Sequence, residues 1–151
     1  MDRPKRVSWS TPTISSDGKE EILYLSSNGI VEAYAFKTGE QIWKMEGIEG
    51  NTVASPTVTE NYVIIGSSVP DQSMALHRQV ELPSNSRVAW KAEDASSSFG
   101  SPLATNDYLY LVNRAGVATC HHLKTGKKVW NLRLPGSCWA SPVHALGRIY
   151  F

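Results

Sequence analysis

Four histidines, two cysteines and fourteen acidic residues are the groups in this 151-residue chain able to bind a metal or move a proton. Their spacing does not gather them. His121 and His122 are adjacent within a Val-, Thr- and Leu-bearing run, so as strand residues they point to opposite faces and cannot chelate one ion together. His77 and His144 stand apart from them, and no Cys/His pair has zinc-finger spacing. Asp17, Glu20 and Glu21 crowd a polar turn, and Glu93-Asp94 follows a Trp. A calcium loop needs several oxygens from spaced positions, and no Asp-x-Asp series provides them. There is no Gly-x-Ser-x-Gly elbow, phosphate loop or dinucleotide fingerprint. Cys120 and Cys138 read as two thiols; a disulfide between them would require an oxidising compartment and bridging geometry. The expectation is no catalytic residue, no metal and no cofactor.

The residues that do recur are aromatic. Trp43, Trp90 and Trp130 stand 47 and 40 positions apart. The first and last close near-identical phrases, Phe36-Lys37-Thr38-Gly39-Glu40-Gln41-Ile42-Trp43 and Leu123-Lys124-Thr125-Gly126-Lys127-Lys128-Val129-Trp130, and Ser86-Arg87-Val88-Ala89-Trp90 is a worn copy. Each is followed by a Ser-Pro pair, Ser55-Pro56, Ser101-Pro102 and Ser141-Pro142, and Thr11-Pro12 begins the series. A second aromatic position lies three residues before the proline, at Trp9, Phe99 and Trp139. These three are candidate interaction residues at a channel mouth, or packing between repeats.

A period in the forties filled with short apolar runs and Gly/Asn punctuation suits one four-stranded propeller blade per repeat. Helical repeats of this length would show apolar spacing of three and four. One unit reads as a strand opened by Ser101-Pro102-Leu103-Ala104, where proline is tolerated because no ladder donor is needed. A turn at Asn106-Asp107 leads to a strand over Tyr108 to Val112. A hairpin at Asn113 to Gly116, a strand over Val117 to Leu123, the Thr125-Gly126 turn and a strand over Lys127 to Leu132 complete it. The first unit follows the same plan: Val7 to Ile14, the Ser15 to Glu21 turn, Ile22 to Leu25, Ile30 to Phe36, and Gln41 to Met45. Blades must stack to bury their faces, so Trp43, Trp90 and Trp130 are expected to be buried, each against the Gly turn of an adjacent repeat, with Gly39 and Gly126 as docking residues. Residues 66 to 86 depart most, with a long loop from Gly66 to Ser73 and Leu82 to Ser86 in place of Thr-Gly; irregular loops on a rigid scaffold are where partner contacts concentrate.

The Thr-Gly-x-x-x-Trp phrases resemble the tryptophan-docking repeat of the quinoprotein (PQQ-like) propellers, which runs Ala-x-Asp, Gly and Trp at fixed spacing. Here the segments are Ala33-x-Ala35…Gly39…Trp43 and Cys120-x-His122…Gly126…Trp130, so Ala35 and His122 stand where the family has Asp. A structural hydrogen bond is then the expected role of His122. The resemblance implies an all-β fold: an incomplete propeller of about three to four four-stranded antiparallel blades. It forms a single partial domain over residues 1–151, with repeats near 10–54, 55–100 and 101–140 and a part-repeat over 141–151. The chain is expected to be part of a larger ring, stopping inside a second strand at Arg148 to Phe151.

A net charge of +1 gives no case for nucleic acid or a membrane surface. Met1 to Arg6 is basic, but no apolar run follows, so it does not read as a signal peptide. By resemblance the parent protein is bacterial and periplasmic or cell-envelope. The functional expectation is a non-catalytic propeller module, a protein-interaction or structural scaffold like the outer-membrane assembly lipoproteins of this fold. Its partners would be other blades or proteins, with self-association through open blade edges. The alternative is a fragment of a PQQ-dependent dehydrogenase whose catalytic and calcium residues lie outside this chain.

Overall fold

Short Val-, Ile- and Tyr-rich runs separated by glycine turns cannot bury themselves singly, so they pair with their neighbours in sequence. A computed structural model of the chain describes residues 9–16, 20–27, 29–50 and 53–151. Three meanders form in order. The first contains β1 (Thr13–Ser16), β2 (Glu21–Ser27), β3 (Ile30–Ala35) and β4 (Gln41–Glu46). The second contains β5 (Thr57–Val58), β6 (Tyr62–Ile65), β7 (Met74–His77) and β8 (Val88–Lys91). The third contains β9 (Leu103–Ala104), β10 (Tyr108–Val112), β11 (Val117–His122) and β12 (Lys128–Arg133). Each is an antiparallel sheet with strands in sequence order. A two-stranded hairpin, β13 (Val143–Ala145) and β14 (Arg148–Tyr150), follows as a fourth unit.

The strands lie where the repeat places them, with shifts of a residue or two. The exception is the first. The expected strand over Val7 to Ile14 appears as β1 at Thr13–Ser16, so Ser15 and Ser16, read as turn, belong to the strand. Val7, Ser8, the basic Met1 to Arg6, Asp17 to Lys19 and Asn28 lie outside the described residues. The long segment after β7 contains one short 3-10 turn, Ser84–Ser86, where the other units have Thr-Gly.

Alternation along each strand feeds two interfaces. Ile22, Tyr24, Val31, Ala33 and Trp43 of the first blade pack with Val63, Ile65, Met74 and Leu76 of the second. The opposite face of the second blade, Ile64, Ala75 and Trp90, packs with Leu109, Leu111 and Leu123 of the third. The middle blade is therefore covered on both sides. Its strands Tyr62 to Ile65 and Met74 to Leu76 are apolar on both faces, as a sheet covered on both sides requires. Each fully buried Ile, Leu or Val contributes about 1.5–3 kcal/mol of hydrophobic stabilisation, so these two interfaces dominate the fold.

All three blades share one irregularity. The pairing of third and fourth strands shifts register between Ala33 and Tyr34, between Ala75 and Leu76, and between Cys120 and His121. The extra residue is the one before each Trp: Ile42, Ala89 or Val129. The bulge re-aims the indole. Opposite each indole is a small residue, Ala33, Ala75 or Cys120, over which the ring can lean toward the next blade.

The Ser-Pro pairs form a second tie between blades. Thr11 donates its backbone N–H to Ser55 Oγ (2.8 Å), Ser55 to Ser101 Oγ (3.0 Å) and Ser101 to Ser141 Oγ (2.8 Å). Each middle serine gives its N–H forward and its hydroxyl oxygen backward. The prolines join in through their carbonyls: Thr13 Oγ1 donates to Pro56 O (2.8 Å) and Thr57 Oγ1 to Pro102 O (2.5 Å). At the third junction Leu103 occupies the threonine position and has no hydroxyl to donate. Ser101→Ala would leave the Ser55 N–H without its acceptor. The expected loss is about 1 kcal/mol of unfolding free energy, read from urea denaturation. An unchanged midpoint would mean water replaces the hydroxyl at no cost.

Candidate functional site: blade docks and the crossover face

The Thr-Gly turn is a platform built by the chain's own backbone. Gly126 adopts φ +69° and donates its N–H to His122 O (2.8 Å); Gly39 repeats this with φ +69° and a bond to Ala35 O (2.8 Å). Left-handed backbone favours glycine. Onto the Gly126 platform lies the indole of Trp90. A Cβ placed on Gly126 would sit 2.5 Å from Trp90 Cε3 and 2.8 Å from Cδ2. The indole N–H donates to Leu123 O at 2.9 Å, within a buried site. This contact defines a dock: a flat ring against a residue without a side chain, fixed by one hydrogen bond.

Trp43 docks differently. It is 6% exposed, and in place of a glycine turn it meets the Arg87 guanidinium, 4.3 Å from the ring centroid. Arg87 is fully buried and held by carbonyls at the end of β7 and in the segment after it: Nη1 donates to His77 O (2.9 Å) and Gln79 O (2.8 Å), and Nη2 to Leu82 O. Burial pulls its pKa down, but the guanidinium remains charged because its ordinary value is so high. The indole N–H of Trp43 has no partner, because the loop carbonyls are turned onto Arg87. A second arginine, Arg78, links the same blades by donating to Ser15 Oγ (2.5 Å) and Thr59 O (2.8 Å). The irregular segment from residue 78 to 87 is thus a substitute dock.

Trp130, expected to be buried, is 38% exposed. It leans on Tyr110 of its own blade (6.1 Å between centroids), and among the described residues no glycine turn meets it: the fourth unit supplies only the β13–β14 hairpin. Gly39 likewise has nothing within 4 Å of where a Cβ would be.

The two histidines do face opposite ways, with a correction of role. His121, not His122, makes the structural hydrogen bond: its Nδ1 lies 3.0 Å from Gly126 O in a buried site. A carbonyl only accepts, so Nδ1 carries the proton and the buried Nε2, which has no partner, is the unprotonated nitrogen. His122 is exposed beside Tyr108, 5.5 Å away. Sequence reasoning put the bond one residue too late because the bulge at Cys120/His121 shifts which residue points at the turn. Both cysteines are free thiols; Cys120 is buried and Cys138 half-buried.

On the opposite face, the crossovers between blades meet the second-to-third-strand hairpins. The long loop is tied there: Ser67 Oγ donates to Glu49 O (2.6 Å), and Ser97 N to Ser67 O (2.6 Å). Phe99 and Trp139 stack at 4.4 Å with an 11° interplanar angle, and the Arg114 guanidinium lies 4.9 Å from the Trp139 centroid. Trp9 is 69% exposed. Beside the stack is an open cavity of about 590 Å³ lined by Ser68, Ser96, Ser98, Asn113, Arg114 and Ser137, with Trp139 at its margin. Among the described residues no three His, Cys, Asp or Glu side chains come together as metal ligands. The residues lining this cavity do not fit a quinone–calcium centre: calcium needs several converging oxygens, and no carboxylate is among them.

A family model described as outer membrane protein assembly factor BamB matches residues 50–132. No curated protein matches the chain. Among solved structures, BamB from Moraxella catarrhalis superposes with a TM-score of 0.70 at 19% identity, covering 93% of this chain and 39% of that one. The computationally designed Ika4 protein gives 0.69 at 10% identity, over 93% of this chain and 83% of that one. A quinohemoprotein alcohol dehydrogenase from Comamonas testosteroni gives 0.61 at 20% identity, over 84% and 21%. The chain therefore spans well under half the length of the first and last of these. At such identities the likeness is one of fold: four-stranded propeller blades.

Two predictions follow from the docks. Gly39→Ala and Gly126→Ala impose the same left-handed strain, about 1–2 kcal/mol, but only Gly126 faces an indole. Gly126→Ala should therefore lower the denaturation midpoint clearly more than Gly39→Ala; equal losses would mean that the ring adjusts freely. For His121, burial is the largest cause of a pKa below its ordinary value, opposed by the Gly126 carbonyl and Glu93 and assisted by Lys128. The unfolded chain then binds the proton more readily. His121's contribution is fully present above about pH 6.5 and is lost as pH falls toward the depressed folded value. The urea midpoint should fall between pH 7 and pH 5 by more in the wild type than in His121→Asn; parallel curves would refute this.

Proposed function

The chain belongs to the family described as outer membrane protein assembly factor BamB, and from that premise we propose that it is a non-catalytic scaffold, a PQQ-like propeller module that presents its crossover face to other proteins. One observation carries the reading: the recurrent side chains are spent on joining blades. Trp90, Gly126 and His121 build one dock, Trp43 and Arg87 another, and Ser55, Ser101 and Ser141 the belt of hydrogen bonds. What they hold rigid is a face of loops and crossovers, where partner contacts concentrate. The same reading places the parent protein in the bacterial periplasm or cell envelope, and treats residues 1–151 as one part of a larger propeller.

The dehydrogenase alternative rests on fold likeness to the quinohemoprotein alone. It is tested directly. Because that alternative puts the catalytic and calcium residues outside this chain, the purified parent protein is incubated with pyrroloquinoline quinone and Ca²⁺, then dialysed and assayed with ethanol and an electron-accepting dye. The expected outcome is no retained quinone and no dye reduction; stoichiometric quinone with turnover would establish the enzyme. The scaffold reading has its own test. A photo-crosslinking residue at Ser137, on the crossover face, should give a discrete protein adduct in the native host, and one at Lys124, on the Thr-Gly face, should not. Equal labelling from both positions would count against a specific face.

A further inference from the structure

The crossover-face cavity is rich in donors and poor in acceptors. Asn113 Nδ2 donates to Ser96 Oγ (3.5 Å) and the Arg114 N–H to Ser98 Oγ (3.3 Å). Each serine oxygen thereby accepts from the protein and retains its own proton for something in the cavity. Asn113 Oδ1, the natural acceptor at this place, is occupied by the Val117 N–H (2.9 Å). Arg114 is the only charged side chain lining the cavity, and among the described residues its guanidinium makes no hydrogen bond or ion pair. Its Cζ lies over the Trp139 ring, 4.9 Å from the centroid, and that ring is itself stacked on Phe99. A guanidinium that rests against an aromatic ring and makes no other polar contact has its N–H groups available, and loses less rotamer freedom when it binds.

We propose that this cavity is a carboxylate-binding site that takes an acidic side chain of a partner polypeptide, with Arg114 as its anchor. The inference rests on the scaffold reading and names the chemistry of the partner. A forked guanidinium matches a carboxylate bidentately, and the hydroxyls of Ser96 and Ser98 complete the donor set. A polypeptide suits the site because its rim is shared: Ser68 comes from the second blade, Ser96 and Ser98 from the following crossover, Asn113 and Arg114 from the third blade's hairpin, and Ser137 from the next crossover. An opening of about 590 Å³ accommodates the residues flanking the acid as well as the acid itself.

The test uses the whole chain and acetylated, amidated Gly-Gly-Glu-Gly-Gly, with the glutamine peptide as its neutral match, followed by NMR titration of backbone amides. The glutamate peptide should shift the amides of residues 96–98 and 113–115 saturably, and the glutamine peptide should bind at least tenfold more weakly. Arg114→Gln should reduce glutamate-peptide affinity at least about tenfold, the loss of the charge-assisted bidentate pair. Arg114→Lys, which keeps the charge without the fork, should recover only part. Ser96→Ala/Ser98→Ala gives a second variant that leaves the stack intact and should also weaken binding. Absence of saturable binding, equal affinity for the two peptides, or an Arg114→Gln variant that binds like wild type overturns the proposal. So does inorganic phosphate binding as tightly as the peptide, which would make this a small-anion site. If the site fails while Ser137 still cross-links, the scaffold reading survives; if the peptide binds but no adduct forms, the scaffold reading falls and takes the polypeptide partner with it, leaving only a carboxylate site.

Discussion

A blade of four short strands has two apolar faces and no core of its own, so everything depends on how an indole meets its neighbour. Trp90 against Gly126 shows the requirement most plainly. The ring approaches to a distance at which one methyl group would collide with it, and its N–H reaches the one carbonyl, Leu123 O, that would otherwise be buried beside it. His121 steadies the same turn from behind by donating to Gly126 O. Hydrophobic area supplies most of the free energy across this interface. The hydrogen bonds decide that the ring sits in one place.

The Trp43 junction reaches the same end by other means. Without a glycine platform, the second blade offers a cation held by its own carbonyls over the ring, 4.3 Å from its centroid. Cation–π attraction grows as water is excluded, reaching about 2 kcal/mol in desolvated sites. The cost is visible in the unpartnered N–H of Trp43 and Nε of Arg87. A loop that reads as drift from the repeat is thus an interface in its own right.

The blade architecture was legible in the sequence because its determinants are local and recur: the Thr-Gly turns need positive φ, the Trp and Ser-Pro positions keep step, and the strands are β-branched and aromatic. The unread features are those that depend on the neighbouring blade. Nothing in the phrase Ser86-Arg87-Val88-Ala89-Trp90 says that Arg87 will cover an indole more than forty residues earlier. Ser-Pro reads as a strand start, and the use of its hydroxyl as an acceptor appears only once two blades stand side by side. His121 was overlooked for His122 because a bulge is silent in a single sequence. Trp130 was expected to be buried on the strength of its phrase, yet burial is a property of what lies opposite. The crossover cavity draws on four separated segments, and only the aromatic that recurs three residues before Pro12, Pro102 and Pro142 hinted that this face had anything in common from blade to blade.

The hydrogen bonds of the serine belt all run in one direction, from a backbone N–H to the hydroxyl of the following unit. Each blade therefore shows its successor a surface unlike the one it shows its predecessor. In the language of symmetry the junction is heterologous, the head-to-tail kind, which closes into a ring only when the rotation per unit divides a full turn. The step from one blade to the next, set by indole against turn and serine against serine, is what fixes how many blades such a ring can hold.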